Sequence, residues 1–158
     1  MSKLNFLLFV LTFLVGAVST ETREIAIIIN TRSPINSLSL EEVKGIYLGE
    51  IRLIRGRRFK PIDQHENQEI RQAFLKHVLE MSQASYLKHW IHRIFQEGID
   101  APILRENSAA VIETVRGSEE AIGYVWADDA LDAGGIKIVL TLPEVSSERK
   151  STKQSLIS

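Results

Sequence analysis

The segment EIAIIIN (Glu24–Asn30) is a nearly continuous run of apolar residues, most of them β-branched. Such a strand is typical of a sheet covered on both faces, because a strand with one face in water alternates apolar and polar residues. Helical segments follow it, and then two further strand-like segments, AIGYVWA (121–127) and GGIKIVLTL (134–142). This order predicts an α/β domain with helices on both faces of a mixed sheet.

The next segment, SLSLEEVKGIYLGEI (37–51), carries strong helix signals. Ser39 is a suitable N-cap, and Glu42 three residues later completes a capping box. Gly49 is placed to end the helix in the left-handed conformation. A helix is therefore expected from about residue 40 to residue 48.

Three further helices and one short strand are expected between the outer strands. RFKPID (58–63) is the strand candidate, although Pro61 weakens it. At 100° per residue, the helix from Glu66 to Met81 would bury one apolar face: Ile70, Ala73, Phe74, His77, Val78 and Met81. The helix over 82–98 would bury another: Ala84, Leu87, Ile91, Ile94 and Phe95. The last helix, over 107–117, would begin at Asn107 or Ser108 and end at Gly117.

Both ends of the chain differ from the predicted domain. A short basic start precedes the apolar run FLLFVLTFLVGAV, with Ala17 and Ser19 as small residues at a cleavage site. The pattern predicts a secretory signal peptide over residues 1–19, with an uncleaved membrane anchor as the alternative. The folded domain is expected over residues 20–143, followed by a polar, disordered tail over 144–158.

The composition and motifs of the chain argue against several classes of function. The formal net charge is −1, and loss of Lys3 with the signal peptide makes it −2, so nucleic acid is not an expected partner. The chain has no cysteine, which excludes disulfides and thiol chemistry. His89 and His92 lie three residues apart without further ligand spacing, so no metal site is predicted. No nucleophile motif, phosphate loop or paired catalytic acids are recognisable, and neither a catalytic residue nor a cofactor is expected.

Two motifs resemble the phosphate-type periplasmic substrate-binding proteins. SLSLEEVKGIYLGEI is similar to a capped, leucine-rich helix of that family, and VRGSEEAIGYV (115–125) is similar to a later segment of it. Removing 19 of the 158 residues leaves 139, which is enough for one lobe of a two-lobed member. The resemblance implies a short, single-lobe relative whose two crossing strands are Ile25–Asn30 and Ile136–Leu140.

The resemblance also places a ligand site at the start of the helix within DQHENQEIRQAF (63–74). In the family a G-S-G-T loop binds the anion there, and in this chain Asn67, Gln68, Glu69 and Ile70 replace it. Arg71 keeps the following arginine, and Gln64 stands where an earlier arginine would be. The site residues implied are therefore Gln64, Gln68 and Arg71. The Glu69 carboxylate opposes an anion, which predicts weak binding.

Two functions stay open at this point. The first is a secreted binding module for a small oxyanion such as phosphate, with the facing wall supplied by a second copy (a homodimer), an ABC permease or another protein. The second is a periplasmic adaptor that has lost ligand binding. The basic segment RLIRGRRFK (52–60) reads either as a solvated turn around Gly56 or as an anion or partner patch.

Overall fold

The computed structural model describes residues 22–146. Its strands are β1 (Thr22–Asn30), β2 (Leu53–Ile54), β3 (Arg57–Arg58), β4 (Lys60–Gln64), β5 (Ile103–Arg105), β6 (Ala121–Trp126) and β7 (Ile136–Ser146). Its helices are α1 (Leu40–Tyr47), α2 (Glu69–Phe74), α3 (Gln83–Glu97), α4 (Ser108–Gly117) and α5 (Ala127–Leu131). A π-helical turn, Leu75–Leu79, continues α2.

The main sheet has five strands in the order β5-β4-β6-β1-β7. Strand β4 runs parallel to β5 and β6, whereas β1 runs antiparallel to β6 and β7. The sheet is therefore mixed, as predicted. Strands β2 and β3 form a separate hairpin whose turn residues Arg55 and Gly56 both have positive φ. The turn expected around Gly56 is therefore the turn of this hairpin.

Two apolar cores lie on opposite faces of the sheet. Ile25, Ile27 and Ile29 of β1 pack into the core shared with α1, α2 and α3. Ala26 and Ile28 point the other way, into the core shared with α4 and α5. Burial on both faces confirms the interpretation of the β-branched run, and the α/β architecture follows from it.

The cap of α1 forms as the sequence predicts. The Ser39 hydroxyl accepts a hydrogen bond from the Glu42 amide at 3.1 Å, and a Glu42 carboxylate oxygen accepts one from the Ser39 amide at 2.8 Å. Gly49 adopts φ of 72°, the left-handed conformation expected after this helix.

The buried face of the second predicted helix differs from the expectation. A π-helical turn places more residues in each turn than an α-helix does, so the face pointing at the core shifts along the sequence. Leu75 and Leu79 are buried as a result. His77, predicted to lie in the core, is exposed.

The buried face predicted for α3 is wrong. Its core contacts come from Tyr86 and Trp90, whereas the five predicted residues are all exposed: Ala84, Leu87, Ile91, Ile94 and Phe95. The helix packs by a different side, on which His89 and Arg93 contact the Leu48 and Gly49 carbonyls that follow α1.

The predicted signal peptide (1–19) lies outside the described residues, and so does the predicted tail from residue 147 onward. Strand β7 continues past Pro143 to Ser146. Within residues 22–146, no helix has the length and apolar character needed to cross a membrane.

Candidate functional site

The three parallel strands end at the same edge of the sheet, and each leads towards a helix. Strand β4 ends at Gln64 before α2, β5 ends at Arg105 before α4, and β6 ends at Trp126 directly before α5. The crevice outside the carboxyl ends of parallel strands is the general ligand position in α/β sheets. The topology therefore directs three helix starts to one region.

A groove of about 710 Å³ occupies this position. The starts of α2, α4 and α5 all contribute to its walls, and β1 adds one side chain. The lining residues are Arg23, Asn67, Gln68, Glu69, Ile70, Asn107, Ser108, Ala109, Ile112, Trp126 and Asp129. First-turn N–H groups of a helix have no intrahelical partner, so a groove walled by helix starts is rich in donors.

Three charged side chains set the local electrostatics. Arg23 is the cation, and its guanidinium carbon lies 4.4 Å from the ring centroid of Trp126. This stacking fixes the position of the charge beside the groove. Glu69 and Asp129 are the two anions, so the side chains of the groove sum to −1. The N–H groups at the three helix starts partly offset that negative charge.

Ser108 is the hydroxyl donor of the groove. It begins α4 directly after the cap residue Asn107, whose side-chain oxygen accepts from the Ala110 amide at 3.0 Å. Below it, the Gln64 amide group donates to Ser108 Oγ at 3.3 Å and to the Tyr124 carbonyl at 2.9 Å. This bond uses one acceptor position of Oγ, and the hydroxyl proton is a separate donor that can point into the groove.

The three residues predicted for the site occupy different places. Gln68 lines the groove as the N-cap position of α2, and its side chain makes no capping bond. Gln64 is fully buried beneath the groove, where it positions Ser108. Arg71 points inward, and its side chain is only 12% exposed.

The partner of Arg71 is Asp63, with Nε 3.3 Å from each carboxylate oxygen. The same carboxylate accepts hydrogen bonds from the Tyr124 hydroxyl at 2.5 Å and from the backbone N–H of Gln64 at 2.8 Å. Burial, together with the charge of Asp63, raises the pKa of Tyr124 well above its usual value, so this phenol keeps its proton. The cluster supports the floor of the groove.

Sequence reasoning did not assign Arg23, Ser108, Trp126 or Asp129 to the site. Asn107 and Ser108 were recognised only as a helix cap. A signal did exist, because each of these residues flanks the predicted end or start of a strand, or caps a helix. The strand order that brings them together was not readable from one sequence.

A second groove of about 420 Å³ lies at the opposite end of β4. Trp90, Phe59 and Pro61 line its apolar part, and Arg52 and Arg58 lie at its rim. The other basic residues of this segment are engaged: Arg55 with Glu42, Arg57 with Glu119, and Lys60 with Glu120. Among the described residues, no group of three or more His, Cys, Asp or Glu side chains is arranged for a metal ion.

Solved structures share this architecture. A phosphate ABC transporter substrate-binding protein from Clostridium perfringens, solved with bound phosphate, matches with a TM-score of 0.59 and 22% identity over 75% of this chain and 44% of its own. An ABC-type phosphate transport receptor from Vibrio cholerae matches with a TM-score of 0.59 and 13% identity, over 76% of this chain and 47% of its own. PstS from Borrelia burgdorferi matches with a TM-score of 0.57 and 15% identity, over 76% of this chain and 48% of its own.

The chain shares the fold of the matched part of these phosphate-binding proteins. The chain spans slightly less than half the length of these proteins, which is the extent expected of a single-lobe form. The predicted resemblance and fold class are confirmed. No protein-family model and no curated protein sequence matches the chain. At these identities the phosphate-type likeness concerns the fold alone.

Proposed function

We propose that this protein is a secreted, non-enzymatic binding module that holds a small oxyanion such as phosphate in the groove at the carboxyl ends of β4, β5 and β6. The observation that carries the proposal is the convergence of three helix starts on a groove that also holds Arg23 and Ser108. Arg23 would supply the charge, Ser108 and Gln68 side-chain donors, and the first turns of α2 and α4 backbone donors.

Binding by this lobe alone is weak. The favourable field of the helix starts and Arg23 is opposed by Glu69 and Asp129. Each exposed charge–dipole interaction of this kind contributes about 0.3–1 kcal/mol, so no large surplus remains. The expected dissociation constant is about millimolar or weaker, equivalent to about 4 kcal/mol.

The groove is open to solvent, so a partner protein that covers it would complete the binding site. A single wall leaves a ligand accessible to water, and a facing wall would exclude it and strengthen every polar contact. In the two-lobed proteins of this fold, a second lobe is part of the same chain, and this chain spans less than half their length. A second copy, an ABC permease or another periplasmic protein would supply the facing wall here.

Calorimetric titration with phosphate tests the site. Arg23→Gln should abolish the remaining affinity, whereas Glu69→Gln should tighten binding several-fold by removing the opposing charge. Lys76→Gln is the matched control, because Lys76 is an exposed cation that does not line the groove. Equal affinity of the wild type and Arg23→Gln would contradict the proposal.

Restoring the phosphate-type loop itself is a poorer experiment. Ile70 stands in the threonine place of the G-S-G-T loop, but its side chain is only 2% exposed and packs in the core. Ile70→Thr would therefore lose core packing while adding a hydroxyl. Glu69→Gln changes the charge and leaves the core intact.

The alternative function is a periplasmic adaptor without a ligand. One observation favours it: the arginine retained in the loop is paired with Asp63 instead of facing the groove. Absence of phosphate binding by both the wild type and Glu69→Gln would favour this alternative.

A further inference from the structure

The outer side of α3 is an apolar surface without a partner in the described part of the chain. The helix has 15 residues and buries only Tyr86 and Trp90. Its exposed apolar residues form what we call the α3 stripe: Ala84, Leu87, Ile91, Ile94 and Phe95. Phe95 is 84% exposed and Leu87 is 61% exposed, which is unusual for side chains of this size.

The spacing within the stripe suits another helix. Ala84, Leu87, Ile91 and Ile94 are separated by three, four and three residues. This is the heptad spacing that keeps apolar side chains on one seam facing a neighbouring helix. A helix of 15 residues is about 22 Å long, so the seam offers roughly three layers of contact.

We propose that the α3 stripe is the interface of a two-fold symmetric homodimer, in which it packs against the α3 stripe of a second copy. A two-fold interface needs only one self-complementary patch, and a straight apolar seam meets that requirement. In the antiparallel arrangement the two helix dipoles also oppose each other favourably.

The exposed apolar area of the α3 stripe is enough for a weak dimer. Taking about 200 Å² for a fully exposed large side chain, the four large residues of the stripe expose about 500 Å². Two copies would therefore bury about 1,000 Å² of apolar surface before any rim is counted. Stable interfaces bury about 1,200–2,000 Å² in total, so a weak dimer whose population depends on protein concentration is expected.

The dimer proposal is independent of the anion site. No residue of the α3 stripe lines the groove between α2, α4 and α5. Loss of the dimer would therefore leave phosphate affinity of the single lobe unchanged, and loss of Arg23 would leave the dimer intact. The two proposals can fail separately.

Sedimentation equilibrium over a range of protein concentrations tests the interface. The wild type should show a reversible monomer–dimer equilibrium, and Ile91→Glu should raise the dissociation constant at least tenfold. Leu131→Glu is the matched control, because Leu131 is 73% exposed and lies on α5, away from the stripe. It should dimerise as the wild type does, and circular dichroism should show both variants folded.

A charge-mixing experiment tests the symmetry. Ile91→Lys and Ile91→Glu should each be monomeric, and their mixture should form dimers more readily than either variant alone. A wild type that stays monomeric at all concentrations would overturn the proposal. That is also the result expected if another segment or another protein covers the α3 stripe. Dimerisation that survives Ile91→Glu, or that is lost equally in Leu131→Glu, would overturn it as well.

Discussion

The guanidinium of Arg71 faces the carboxylate of Asp63, and the two side chains are only 12% and 8% exposed. Asp63 also accepts hydrogen bonds from Tyr124 and from the backbone amide of Gln64. The arginine that would face the ligand in a phosphate-type loop is thus held inside the fold. This pairing ties α2 to β4 and β6 beneath the groove.

Removing one partner of this pair should be strongly destabilising. Asp63→Asn leaves a buried guanidinium without a counter-charge, and the expected loss is about 3–5 kcal/mol in the free energy of unfolding. Urea denaturation measures it. Glu113→Gln is the control, because Glu113 pairs with Arg116 on the exposed side of α4 and should cost less than about 0.5 kcal/mol. Equal losses in the two variants would show that the buried pair has no special role.

Alkaline pH should unfold the protein in a single step that ionises all three tyrosines. Burial raises the pKa of Tyr47, Tyr86 and Tyr124 above the ordinary value of 10.0, and the charge of Asp63 raises all three further. The chain contains no other tyrosine. Because folding raises these pKa values, their stabilising contribution is complete below the unfolded pKa of about 10 and is lost as the pH rises above it.

Tyrosinate absorbance followed together with circular dichroism checks this expectation. The two signals should change together above pH 10. A tyrosine that ionises near its ordinary pKa while the fold is intact would contradict the buried positions.

The capping box of α1 should contribute measurably to stability. Ser39→Ala removes the hydroxyl that accepts from the Glu42 amide, and the expected cost is about 1 kcal/mol. Ser37→Ala is a nearby control, since Ser37 is exposed and lies outside the helix. A denaturation midpoint for Ser39→Ala equal to that of the control would contradict this role.

Two glycines provide a matched test of packing between β6 and α4. A Cβ at Gly123 would lie 2.4 Å from Val111 Cγ1, so Gly123→Ala should cost about 1–3 kcal/mol through overpacking. A Cβ at Gly117 would meet nothing within 4 Å, and Gly117→Ala should be neutral or slightly stabilising. Thermal unfolding of both variants distinguishes them, and a harmless Gly123→Ala would mean that α4 lies further from the sheet.

The parts of the fold that depend on local chemistry were predictable from the sequence. The β-branched run of β1, the capping box at Ser39 and the left-handed Gly49 each follow from the residues themselves. In each case the deciding interactions lie within a few residues or on one strand face.

The remaining features depend on interactions distant in sequence. Periodicity shows which side of α3 is apolar but not whether anything covers it, so Leu87 and Phe95 were wrongly placed in the core. The π-helical turn after Phe74 has no simple sequence signal. The candidate groove likewise depends on strand order, which places Arg23 beside Trp126.

The most direct test of the central claim is the response of backbone amide chemical shifts to added phosphate, measured by NMR. The account predicts progressive shifts at the first turns of α2 and α4, including Glu69, Ile70, Ser108 and Ala109, with half-saturation at about millimolar phosphate. The same shifts should be lost in Arg23→Gln. Shifts confined to the groove around Arg52 and Arg58, or no shifts at any phosphate concentration, would contradict it.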